Sequence, residues 1–270
     1  MKRKLILFVF LTLILYFFNA CNESTTNEPT PQNQVADSSY FPTENDAYYK
    51  YNIERTDSNN NLISGTRSTF YNGIVVKGNF TYQVQIDSVF LTGQNVIVDS
   101  MYFRFSVNNE GKKSGVFYYL DTTGLAASVP GLDTLLQYIT LDDEMRLLSF
   151  PIYDISSWTV FKMNIDYQIF NFNPIELKVV FDGKDTLNLN LNPSRIVEAV
   201  RLKFTLTVKP GLFDNARSYT ALGWIASGIG FVKWQGCGTI VGVFTGNGVD
   251  LDDTTSVFTE NLIEYNRIDN

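Results

Sequence analysis

The sequence contains no histidine. That absence removes Ser-His-Asp and Cys-His catalysis, imidazole metal sites and a proton switch near neutral pH. Zinc sites built from His and Cys fall with it. Cysteine is nearly as scarce, with Cys21 and Cys237 the only two, so no framework of internal disulfides holds the fold. Charged residues make up only 18%, and no basic cluster follows Lys4. With a formal net charge of −7, nucleic acid is excluded as the expected partner. Electrostatic docking onto anionic lipid is disfavoured for the same reason. No apolar run beyond Phe18 is long enough to span a bilayer. Carboxylate chemistry survives these exclusions, so enzymes remain open as a class.

What is present begins with residues 1–21, MKRKLILFVFLTLILYFFNAC. Lys2, Arg3 and Lys4 form a positive start, and Leu5 to Phe18 is apolar apart from Thr12. Ala20 precedes Cys21, after which the composition turns polar. This is the layout of a secretory signal with a small residue before the cut. The Phe-Asn-Ala-Cys ending resembles the lipobox of bacterial lipoproteins, in which cleavage precedes the cysteine and the thiol carries diacylglycerol. Residues 1–20 are accordingly read as a signal peptide and Cys21 as the lipidation site. Ordinary signal cleavage and a retained anchor are the alternatives. Loss of residues 1–20 removes three cations and takes the net charge from −7 to −10. The expectation is a protein tethered to a bacterial envelope membrane by lipid, with the outer membrane as the expected location.

Residues 21–39 are rich in Ser, Thr, Asn, Glu, Pro and Gln, with Val35 and Ala36 as the only apolar residues after Cys21. Such a composition reads as a flexible tether. Residues 40–270 are read as one all-β domain. Phe (21) and Tyr (15) are abundant, and aromatic and β-branched residues suit pleated surfaces. Tyr49, Tyr51 and Ile53 alternate with polar neighbours, as do Phe80, Tyr82, Val84 and Ile86, which predicts a buried face on each strand. Val200, Leu202, Phe204, Leu206 and Val208 make the clearest strand, against Arg201, Lys203, Thr205 and Thr207. Asn72-Gly73, Asn108 to Gly111 and Asp182-Gly183 read as hairpin turns. Thr239 to Thr245 reads as a further strand. The only helical pattern is Pro130 to Tyr138, where Leu132, Leu135 and Leu136 share a face. The fold class is therefore all-β: a large curved antiparallel sheet or half-barrel of roughly a dozen strands, with at most one short helix.

Several landmarks carry a resemblance. Tyr40-Phe41-Pro42 with Tyr48 to Tyr51, Leu147 to Pro151 followed by Ser156-Ser157-Trp158, and Gly228 to Lys233 are similar to landmarks of uncharacterised Bacteroidota-type envelope lipoproteins. Asn45 and Tyr48 stand where those proteins often have Gly and Trp. The resemblance implies a curved sheet broadly like the LolA-like half-barrels of lipoprotein carriers. It implies no catalytic residues.

The remaining constellations carry less specific chemistry. Asp250-Leu251-Asp252-Asp253 and the shorter Asp142-Asp143-Glu144 offer oxygen ligands but lack the spacing of a calcium loop, and read as exposed acidic turns. Gly228-Ile229-Gly230 lacks the third glycine and following helix of a phosphate loop, and reads as a tight turn. Trp158, Trp224 and Trp234 suit core packing or stacking on a ligand. Cys237, flanked by glycines, reads as a small buried residue, with a reactive thiol as the alternative. No catalytic residue, metal or cofactor is assigned. A non-enzymatic binding or structural module is favoured, for an apolar ligand or an envelope protein partner. The alternative is a carboxylate-dependent hydrolase of polysaccharide.

Overall fold

Strand-forming residues occupy most of the chain, and in the computed structural model they build one large sheet. The structure describes residues 32–41, 45–56, 61–120, 138–167, 170–209, 215–245 and 257–266. The chain divides into two units, Met1–Gln32 and Asn33–Asn270, and the elements below belong to the second. Cys21, Asp250 to Asp253 and nearly all of the Pro130 to Tyr138 helical stretch lie outside the described residues.

In chain order, β1 is Gln34–Ala36, β2 Tyr48–Thr56, β3 Leu62–Lys77, β4 Phe80–Leu91 and β5 Ile97–Val107. Next come β6 at Lys113–Tyr119, β7 at Ile139–Leu141, β8 at Glu144–Ser149 and β9 at Ile152–Tyr153. Long strands follow: β10 Ser157–Tyr167, β11 Phe170–Leu189, β12 Arg195–Val208, β13 Arg217–Ala226 and β14 Gly230–Cys237. Helix α1, Gly238–Thr245, and β15, Val257–Asn266, complete the set. Thirteen strands form a single antiparallel sheet in the order β7-β10-β11-β12-β13-β14-β15-β2-β3-β4-β5-β6-β8, and β1 pairs with β9 in a small second sheet. The two end strands of the large sheet, β7 and β8, are sequence neighbours joined by Asp142 and Asp143. The sheet therefore curls until its ends approach each other. No ladder joins them, so it is not a closed barrel.

The concave side carries the main core. Phe103, Phe204 and Trp234 are buried there with Phe231 and Phe244. The Phe231 and Trp234 rings stack at 4.5 Å, and Phe41 meets Phe103 edge-on at 5.9 Å. The alternation in Val200 to Leu206 points these residues inward as the sequence pattern requires, and Tyr49, Tyr51 and Ile53 are buried likewise.

Five expectations are corrected. Gln34–Ala36 is a paired strand and Ser38–Tyr40 a 3-10 turn, so residues 33–39, expected to be tether, belong to the compact unit that carries the sheet. Ala36, one of the two apolar residues of that stretch, is buried in the core and docks it. Asn72-Gly73 is a bulge within β3, between Tyr71 and Ile74, while the turn falls at Gly78 and Asn79. Gly183, at φ 123°, likewise forms a bulge inside the 20-residue β11. An extra residue of this kind satisfies the same demand for positive φ as a hairpin turn.

Residues 238–245 form α1 instead of a strand. All but Val243 are buried, so periodicity cannot separate helix from strand there. Packing of Phe244 at 5.5 Å from Phe204 and 5.7 Å from Trp234 overrides the β-branched propensity. The burial expected of β4 holds at Tyr82, which is 2% exposed, but is otherwise inverted. Phe80 is 45% exposed and Val84 and Ile86 are half-buried, whereas Gln85 and Asp87 are fully buried. The reason is a polar cluster inside the curl.

Candidate functional site

Two places concentrate chemistry: that interior cluster and a cleft at the seam of the sheet. In the interior, β3 contributes Arg67 and Thr69, β4 contributes Gln85 and Asp87, and β15 contributes Glu260. Arg67 Nη2 donates to Glu260 Oε2 at 2.7 Å, and its Nη1 donates to Asp87 Oδ1 at 3.0 Å and Thr69 Oγ1 at 2.6 Å. Gln85 Nε2 donates to Asp87 Oδ2 at 2.6 Å, and Tyr118 OH donates to Gln85 Oε1 at 2.6 Å. The Arg67 guanidinium lies 4.2 Å from the Tyr51 ring centroid.

Burial opposes the Arg67 charge, but Glu260 and Asp87 outweigh it and hold the guanidinium above its ordinary pKa. Burial also holds the phenols of Tyr51, Tyr71 and Tyr118 above their usual range, and Tyr51 and Tyr118 serve as hydrogen-bond donors. Tyr51 OH donates to the Phe231 carbonyl at 2.9 Å. The void beside this cluster measures about 30 Å³, room for roughly one water. The cluster is structural: it fills the curl with satisfied polar groups and leaves no space for a ligand among the described residues.

The cleft lies where the ladder fails to close, and measures about 890 Å³. One wall is the β3–β4 turn from Lys77 to Phe80, with Tyr82 behind it. The floor carries Phe117 and Tyr119 of β6, the β7–β8 connection brings Asp142 and Asp143, and β10 brings Ser157 to Val160. Trp158 spans the seam, its Nε1 donating to the Arg146 carbonyl at 3.2 Å. Arg104 grips Glu144 with two hydrogen bonds, Nε to Oε1 at 2.6 Å and Nη2 to Oε2 at 2.5 Å. Tyr82 OH donates to the same Oε1 at 2.8 Å. Burial and the Glu144 carboxylate push the Tyr82 hydroxyl up to about 12. The hydrogen bond from Arg104 to Glu144 holds that guanidinium charged. Phe80 receives Arg104 at 4.0 Å, and Phe117 lies 5.0 Å from both Arg104 and Arg146. Lys77 sits 4.0 Å from the Tyr102 ring and 4.6 Å from Tyr119.

Of the residues singled out in the sequence, Asp142, Asp143, Glu144 and Trp158 come together here. The three acids occupy one wall, on consecutive positions, and Glu144 is engaged by Arg104 and Tyr82. Among the described residues no group of three or more His, Cys, Asp or Glu side chains could hold a metal ion. Trp234 is a core residue, and Trp224 donates to Asp185 Oδ2 at 2.7 Å. Gly228, in the β13–β14 turn, and Gly230, the first residue of β14, are both at positive φ. Cys237 is a free thiol and half-buried rather than buried. Sequence reasoning missed Lys77, Phe80, Tyr82, Arg104, Phe117 and Arg146 as a group. They sit on β3, β4, β5, β6 and β8, and only the pairing of those strands unites them.

No protein-family model matches the chain, and a search of curated proteins finds no match. Among solved structures, the chain is similar to a protein described as exported, with a YmcC-like fold, from Bacteroides fragilis. Identity is 10% and the TM-score 0.43, over 84% of this chain and 98% of that one. A protein described as a lipoprotein from Parabacteroides distasonis is similar at 8% identity and a TM-score of 0.40, over 84% and 98%. The hypothetical lipoprotein YmcC from Escherichia coli gives 13% identity and a TM-score of 0.33, over 84% and 93%. No functional assignment follows from likenesses this distant.

Proposed function

We propose that the protein is a lipid-anchored binding module of the bacterial cell envelope whose ligand site is the seam cleft. Cys21, after its signal-like segment, is the anchor of this reading, and the outer membrane is the membrane that receives it. The observation that carries the reading is the contrast between two volumes. The curl is filled down to about 30 Å³, whereas the cleft offers about 890 Å³, within the range of small-molecule sites. A carrier holding an acyl chain inside the sheet would need the opposite distribution. Hydrolysis is disfavoured because glycosidases set two carboxyl groups on opposite sides of the scissile bond. Here Asp142, Asp143 and Glu144 lie on one wall, and Ser157 to Val160 opposite bring no acid.

The test is site-specific photo-crosslinking in intact bacteria expressing the full chain. A crosslinker at Asn79, on the cleft rim, is expected to capture an envelope component, whereas one at the exposed Ile196 is not. Intact mass of the same material should show a mature chain starting at acylated Cys21. Equal labelling at both positions, or none at Asn79, would remove the cleft from consideration. A non-acylated N-terminus would remove the anchor.

A further inference from the structure

The cleft's chemistry narrows the class of ligand, an inference that rests on the cleft being the binding site. We infer that it takes a segment of neutral oligosaccharide. Its charges balance: Lys77 and Arg146 of the lining stand against Asp142 and Asp143, and Glu144 is paired with Arg104, which lies behind the lining. In a chain of net charge −7, a locally neutral cleft offers no field that favours an ionic ligand of either sign. Cations that only donate and carboxylates that only accept are set side by side. A hydroxyl donates and accepts at once, so a polyol satisfies both walls with one kind of group.

The aromatic side chains supply the complementary surface. Phe80 is 45% exposed, and Arg104 at 4.0 Å fixes its ring, while Arg146 at 5.0 Å and Arg104 flank Phe117. A ring held by neighbours in this way loses little freedom when a flat apolar sugar face stacks on it. Arg104 is itself locked by Glu144 and Tyr82, so the floor is ordered before any ligand arrives. An acyl chain would strand the buried-side donors and acceptors of these walls. A peptide would bind such a seam by adding a strand to the free edge of β8. Trp158 already occupies the Arg146 carbonyl on that edge, which blocks the addition.

The experiment uses the full chain in detergent with defined neutral hexasaccharides as probes: β-1,4-glucan, α-1,4-glucan, β-1,4-mannan and β-1,4-linked N-acetylglucosamine. Binding is read by saturation-transfer NMR and by calorimetry. At least one probe is expected to bind, and Phe80→Ala and Arg146→Ala are each expected to weaken it about tenfold. Both side chains are exposed, so these variants should melt with the wild type. Lys209→Ala, outside the cleft, should bind unchanged. Failure of every neutral probe at millimolar concentration overturns the inference, as does binding that Phe80→Ala and Arg146→Ala leave intact. An oligogalacturonate or a peptide library that binds through Phe80 and Arg146 while the neutral probes do not also overturns it. That last result would leave the cleft as a ligand site, whereas loss of crosslinking at Asn79 would not.

Discussion

Arg67→Met removes the single cation that the interior cluster contains and leaves its shape nearly intact. Arg67 is 4% exposed at its side chain, and its partners Asp87 and Glu260 are both 0% exposed. Taking away one member of a buried charge set strands the others, at a cost of about 3–5 kcal/mol. Here two carboxylates lose their shared partner, and the Tyr51 ring loses a cation 4.2 Å from its centroid, so the upper half of that range applies. For a body of this size each kcal/mol is about 2–4 °C in melting temperature, giving a fall of roughly 8–20 °C. The assay is urea unfolding followed by tryptophan fluorescence, with thermal circular dichroism as the second probe. The decisive comparison is the triple variant Arg67→Met, Asp87→Leu, Glu260→Leu. If desolvation of unpaired carboxylates is the cause, the triple variant recovers most of the stability that the single one loses. A single variant that loses less than about 1 kcal/mol would refute the reasoning, because it would mean that water solvates these carboxylates.

Gly236, at φ 138°, has room for no side chain, since a Cβ would stand 2.6 Å from both the Ala221 Cα and the Thr220 carbonyl oxygen. Gly236→Ala should cost more than about 1 kcal/mol in urea unfolding, while Gly111→Ala, in an open turn, should cost less. Tyr82 gives a pH dependence of known sign. Its hydroxyl is raised from 10 to about 12 by burial first and Glu144 second, so above pH 10 the unfolded chain gives up that proton before the folded one. Stability should therefore be lost between pH 10 and 12, and Tyr82→Phe should remove that part of the slope in alkaline denaturation. Trp158→Phe keeps an aromatic ring, though a smaller one, and deletes the indole donor to the Arg146 carbonyl. It should cost about 1 kcal/mol and speed amide exchange along β8 without altering the rest of the sheet.

Alternation told the truth about strands wherever one face meets core and the other meets water. Val200 to Leu206 is such a case, with even positions buried and Arg201 and Lys203 on the opposite face. It failed in β4 because the inward face there is polar. Gln85 and Asp87 are buried as thoroughly as leucines, and an alternating pattern carries no sign of which face is inside. Glycine signals located the irregularities correctly and misjudged their kind. Gly73 and Gly183 adopt the positive φ that Asn-Gly and Asp-Gly announce, yet each bends a continuous strand rather than reversing it. Helix α1 was hidden because nearly every residue in it is buried, which erases periodicity. The cleft was illegible for a different reason. Asp142 to Glu144 and Phe80 lie more than sixty positions apart, and only non-local pairing of β4 through β5 and β6 to β8 brings them to one place.

That pairing also explains why a cleft exists at all. β7 and β8 are separated by two residues, yet they occupy opposite ends of the thirteen-strand order. As the sheet curls, those ends approach, and the chain crosses from one to the other at Asp142 and Asp143. A zipped barrel would require β10 and β8 to exchange a regular ladder across the seam, but β10 spends its free edge on β7 over Met163 to Ile165. Past Met163 toward Ser157 the edge has no strand partner among the described residues, and a side chain, Trp158, reaches across in place of a backbone ladder. The opening is thus set by strand order, and the exposed part of its lining, Phe80 and Arg146, carries little of the core. The stability of the body rests on the core and on the Arg67 cluster, both on the other side of the strands from Arg104 and Phe117. Substitutions at Phe80 or Arg146 can therefore alter the chemistry of the cleft while the sheet that frames it stays the same.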